Sequence, residues 1–83
     1  MNILKLHEAI AVVLLNKEDR TATIEEISKE IAVRHLYRQK SGDIAPPGQI
    51  RLRTHPNTKA GKQYAHLFKF IEPNKVKLRN SKL

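Results

Sequence analysis

Cysteine is absent from the 83 residues, which excludes both a disulfide framework and a thiolate zinc site as the support of so short a chain. The fold must therefore stand on apolar packing. Aromatic residues are scarce, two tyrosines and two phenylalanines. With Phe68 and Phe70 needed for a core, no stacking platform for single-stranded RNA is left, and RNA ranks third among the partners weighed. Long apolar runs are missing as well. The longest, Ala9 to Leu15, falls far short of the roughly 20 residues that cross a bilayer. Lys5, His7 and Glu8 interrupt the first apolar stretch and no small-residue cleavage pattern follows Leu15, so neither a membrane span nor a signal peptide is expected. The expected location is the cytoplasm, in association with the nucleoid.

The chemistry of catalysis is also wanting. His7 precedes Glu8, but position 11 is alanine, so the second histidine of a helical zinc motif is lacking. The four histidines have no tight metal spacing. Gly61 and Lys62 resemble the end of a phosphate-binding loop, yet Pro56 stands five positions before Gly61, where that loop needs a glycine. Ser28, Ser41 and Ser81 sit in no glycine-flanked nucleophile elbow. No enzyme activity, no metal and no cofactor are expected.

Charge is what the chain does have, and it is unevenly placed. Residues 1–36 carry five lysines and arginines against six carboxylates, whereas residues 37–83 carry eleven against two. A net charge of +8 concentrated in one half points to a polyanionic partner, because attraction to phosphates grows with the number of cations brought near them.

Hydrophobic spacing divides the chain into a single domain, residues 1–83, of α+β class. Ile3, Leu6, Ile10, Val13 and Leu14 recur at helical period and predict a first helix over about 3–16. A second stripe of Leu4, Ala11 and Leu15 widens its apolar face. The ribbon or the C-terminal tail is the expected cover; a dimer contact or adjoining domain is the alternative. After a short extended segment at Thr21 to Thr23, a capping box of Thr23 and Glu26 opens a second helix over about 23–35 that directs Ile24, Ile27 and Ile31 inward. Pro46 and Pro47 favour the start of a third helix over about 46–54. The alternation of residues 50–54 fits a strand equally well. Pro56 to Lys62 reads as a mobile basic connection. A two-stranded ribbon over about 66–79 follows, with Phe68, Phe70, Val76 and Leu78 on one face and Lys69, Lys75, Lys77 and Arg79 on the other.

Three helices followed by a basic ribbon is the winged helix-turn-helix arrangement. The segments Glu25 to Ile31, Arg34 to Arg38, Pro47-Gly48-Gln49-Ile50-Arg51-Leu52-Arg53 and His66-Leu67-Phe68 together resemble the HARE-type winged helix-turn-helix domain of restriction endonucleases and of transcription and chromatin proteins. The resemblance spans nearly the whole chain, except that Thr54 to Tyr64 is longer than the corresponding turn. It favours the helix at 46–54, and it implies DNA recognition, with sensitivity to modified bases, and attachment to a nuclease or other partner polypeptide.

On this reading the third helix enters the major groove of duplex DNA. Gln49, Arg51, Arg53, Thr54 and His55 are the candidate base contacts, led by Arg51 and Arg53, whose guanidinium forks match guanine O6 and N7. The structural alternative is that one arginine, Arg53 before Arg51, turns back toward a phosphate or an acid of the second helix. Lys40, Lys59, Lys62, Lys69, Lys75, Lys77 and Arg79 are the candidate phosphate contacts. The competing reading is a protein-interaction domain that docks through the apolar surplus of the first helix.

Overall fold

The computed structural model describes residues 3–79. Its first helix, α1 (Leu6–Leu15), buries Leu6, Ala9, Ile10, Val13 and Leu14. It begins later than its apolar period predicted, because Lys5 is the N-cap and its N–H donates to the Glu8 carboxylate (2.7 Å). Ile3 therefore lies outside the helix and is 97% exposed. A single 3-10 turn, Glu18–Arg20, in which Asp19 and Arg20 adopt left-handed backbone, swings the chain into strand β1 (Thr21–Thr23).

Helix α2 (Ile24–Val33) opens on the expected capping box: the Thr23 N–H donates to Glu26 Oε1 (2.9 Å), and the Glu26 N–H donates to Thr23 Oγ1 (3.0 Å). These bonds satisfy two donors that a helix start leaves open. The Thr23 N–H, by donating to the carboxylate, also favours its ionised form and holds the Glu26 pKa below the ordinary glutamate value. The helix ends in a Schellman motif. Leu36 N–H donates to the Ile31 carbonyl (3.0 Å) and His35 N–H to that of Ala32 (3.2 Å), with His35 in the left-handed region (φ 54°) that glycine usually fills. The connection from 34 to 46 is anchored by Ser28, buried on α2, whose hydroxyl donates to the Ala45 carbonyl (2.6 Å).

Helix α3 (Pro47–Thr54) settles the ambiguity at 50–54. Ile50 and Thr54, four residues apart, are both buried, and Leu52 is 44% exposed. Period two gives way because Pro47 at the first helical position pre-sets a helical φ. The stretch expected as a mobile connection instead contains a further helix, α4 (Lys59–Gln63). Thr58 caps it, accepting from the Gly61 N–H (2.8 Å) and donating to the Leu52 carbonyl (2.6 Å). Gly61 permits this packing: a Cβ there would stand 1.7 Å from the His55 carbonyl oxygen.

Strands β2 (Phe68–Ile71) and β3 (Lys75–Leu78) form the expected hairpin, but the sheet has three strands rather than two. Strand β1 pairs antiparallel with β3, giving the order β1-β3-β2 and the cross-strand rows Thr21–Lys77–Lys69 and Ala22–Val76–Phe70. The rows alternate between faces. Ala22, Phe68, Val76 and Leu78 are buried against the helices with Ile10, Ile27, Ile31 and Ile50, and the lysines stand on the outer face.

Replacement of His35 by glycine removes the left-handed cost of a side chain at the end of α2. It is expected to raise stability by about 0.5–1 kcal/mol in urea unfolding, the balance of that cost and glycine's entropy. Glu26, whose folded pKa is depressed, contributes stability above its unfolded pKa of about 4.3 and loses it as pH falls through the lower folded value. The urea-midpoint advantage of the wild type over Glu26→Gln is therefore expected at neutral pH and should close in acid.

Candidate nucleic-acid interface

The residues proposed from sequence divide between two surfaces. The first is α3. Successive residues of an α-helix turn by about 100°, so Gln49 and Arg53 share one flank, while Arg51 lies on the other. Gly48 and Leu52 occupy the middle of the solvent face, opposite the buried Ile50 and Thr54. Gln49 and Arg53 are half-buried and Arg51 is exposed.

Thr54 and His55 do not belong to this surface. Thr54 is 2% exposed and its hydroxyl donates to the Ile50 carbonyl (2.9 Å), closing on its own helix. His55 is 7% exposed. Its Nδ1 accepts from the Asn57 N–H (3.1 Å), its Nε2 stands 3.4 Å from the Glu72 carboxylate, and its ring packs at 4.7 Å on Phe70. The helix period that places Ile50 in the core carries Thr54 with it, whereas His55, the extended C-cap, is buried by its contacts with Phe70 and Glu72.

Arg51, rather than Arg53, is the arginine that folds back onto the hairpin, while remaining exposed. Its guanidinium lies 5.0 Å from the centroid of the Phe70 ring and Nη1 donates to the Pro73 carbonyl (3.3 Å). Phe70 is thus held between Arg51 and His55, which ties the hairpin turn to α3. Four of the five guanidinium N–H groups remain beyond the Pro73 bond. Arg53 instead borders a recess of about 430 Å³ with Leu4, His7, Tyr37 and Tyr64. There His7 stacks on Tyr64 at 4.2 Å. Burial is the main cause that lowers the His7 pKa, with Lys5 and Arg53 adding to it against Glu8. Leu4, Tyr37 and Tyr64 all pack on the core's margin. Part of α1's second stripe is therefore covered by Tyr37 and Tyr64, Leu15 stays 48% exposed beside the ribbon residues Lys69 and Lys77, and the C-terminal tail lies outside the described residues.

The loop and α4 cations Lys40, Lys59 and Lys62 are all exposed. The second surface is the outer face of the sheet. Lys69 and Lys77 are direct cross-strand partners, Lys75 and Arg79 are exposed nearby, and Lys77 Nζ is 3.2 Å from the Asp19 carboxylate. These residues do not reach α3 through the hairpin tip, because the tip is Glu72-Pro73-Asn74 and its one charge is negative. Among the described residues there is no group of three or more histidine, aspartate or glutamate side chains able to hold a metal, and no helix is long and apolar enough to cross a membrane.

Comparison with protein-family models, curated proteins and solved structures finds no match in any of the three. The resemblance of residues 47–53 to the HARE-type segment accordingly carries no assignment to that family.

Truncating Arg51 to methionine preserves its aliphatic stem but removes the Pro73 bond and the charge over Phe70. A loss of about 0.5–1 kcal/mol in global stability is expected, in the range of an exposed cation–π contact, measured by urea unfolding in the absence of nucleic acid.

Proposed function

We propose that this chain is a duplex-DNA-binding module of winged helix-turn-helix type, with α3 presented to the major groove and cations of the loops and α4 gripping the backbone beside it. The observation that carries the reading is the segregation of charge: eleven basic residues against two acids in residues 37–83, with the loop and α4 candidates Lys40, Lys59 and Lys62 all exposed. Sequence-independent attraction to phosphates requires such a surface. The order α1, β1, α2, α3, β2, β3 and the antiparallel sheet support the winged arrangement, with α4 as an addition between α3 and the hairpin.

The solvent face of α3 suits a groove. Gly48 has open space around it, so the backbone meets no obstacle to close approach. Leu52, which no core requires, offers an apolar contact for a thymine methyl group. Gln49 and Arg53 stand on one flank as hydrogen-bonding partners for adenine and guanine. Arg51, steadied on Phe70, retains donors for a base edge or a phosphate.

The alternative of docking through α1 draws less support. Of the two side chains that would lead it, Leu4 packs against the core's margin and Leu15 alone stands half-exposed.

Binding to a short mixed-sequence duplex should weaken steeply with salt. If about six cations engage phosphates, the slope of log K against log salt is expected near −5. Amide shift changes should centre on Gln49 to Arg53. A slope near zero at measurable affinity would overturn the proposal.

A further inference from the structure

We infer that the outer face of the sheet is a second phosphate-binding site, so that one chain engages two nucleic-acid backbones at once, one at α3 and one on the sheet. This rests on the reading of the partner as duplex DNA and extends it from one contact surface to two.

The site is an open basin of about 860 Å³ between the end of α1, the Glu18–Arg20 turn and the strands β2 and β3, and no residue of α3 or α4 lines it. Its walls are cationic. Lys69 and Lys77 face each other directly across β2 and β3, an arrangement of like charges that disfavours the folded sheet when nothing lies between them. Asp19 alone among the lining residues is acidic, and it reaches only Lys77. Lys17, at the rim, is paired with Glu30 on α2. Arg20 and Arg79 add to the uncompensated charge.

Two further features make this more than a basic patch. Arg79 is oriented: its Nε donates to the carbonyls of Ala65 (2.8 Å) and Phe68 (3.3 Å), and its own N–H donates to the Leu67 carbonyl (2.7 Å). The Nη groups of that fixed fork have no hydrogen-bond partner among the described residues and suit the paired oxygens of a phosphate. Half-exposed Leu15 and the edge of Leu78 add an apolar lining beside the cations.

Placement supplies the rest. The inner face of the sheet, with Ala22, Phe68 and Val76, is turned to the helices, and α3 contributes Ile50 to that same core. The outer face therefore looks away from the helical layer. Acidic Glu72 interrupts the basic surface where the hairpin turn meets α3. A straight duplex seated on α3 leaves the basin directed elsewhere and open to a second one.

Two short duplexes, one carrying a donor and one an acceptor fluorophore, test this with the full chain. Anisotropy of either alone reports binding, and energy transfer between them reports bridging. The wild type is expected to raise transfer up to about one chain per two duplexes and to lower it again in excess protein. Lys69→Gln/Lys77→Gln, which relieves the like-charge pair, is expected to keep an unfolding midpoint at or above wild type, to keep the anisotropy change and to lose the transfer. Binding without transfer in the wild type, or transfer that survives in the double variant, would overturn the second site. Absence of any anisotropy change would instead sink the DNA reading itself. Tripolyphosphate tests the source of the phosphate: shifts of the Lys69 and Lys77 amides by tripolyphosphate and by duplex alike support the inference, whereas a response to tripolyphosphate alone overturns bridging in favour of a free oligophosphate.

Discussion

The pairing of Thr21–Thr23 with Lys75–Lys77 is the contact on which the arrangement turns. Those three residues are all that joins the neutral first half of the chain to the basic second half in one sheet. Beside them, Ile24 N–H donates to the Asn74 carbonyl (2.8 Å) and the Asn74 amide donates to Glu25 (2.8 Å). The start of α2 is thus fastened to the hairpin turn, and the same turn receives Arg51 from α3 through the Pro73 carbonyl. Without β1 in the sheet, the hairpin would keep its apolar face but lose its angle to the helices. With that angle set, α3 and the sheet lysines face different directions.

Much of this was legible one element at a time. The Thr23 and Glu26 capping box reads directly from a four-residue pattern, and its hydrogen bonds form as the pattern requires. The alternation of Phe68, Phe70, Val76 and Leu78 identifies the hairpin, because a side chain's face in a strand follows from parity alone. The third helix lay beyond periodicity, since eight residues hold only two core positions, Ile50 and Thr54, and two points fit either period. Helix α4 escaped notice because it has five residues and no apolar stripe. Its single local sign is Thr58 at the cap, in a stretch where proline and glycine otherwise suggest a loop.

The site was legible in composition but not in geometry. Counting charge by halves located the basic surface, yet could not divide it into two, because the division depends on the β1–β3 pairing, a contact between residues more than fifty positions apart. Arg51 and Arg53 are indistinguishable in a sequence. What separates them is the placement of Phe70, which belongs to a different element and captures Arg51. Thr54 is buried because it lies one helical turn beyond Ile50, and His55 because its ring meets Phe70 of a different element, a contact its place beside α3 does not reveal.

The sheet's outer strands have a consequence for how the molecule behaves when crowded. Strand β1 has three residues and β2 four, and these are the sheet's two open edges. Both are shorter than the six- or seven-residue segments from which steric zippers are built. One begins straight after a left-handed turn, and the other carries Lys69 near its middle. Short, charged edges are how β proteins deter edge-to-edge growth. Under the proposed DNA reading that protection matters most, because a polyanion that gathers many copies of a basic protein brings their edges close together.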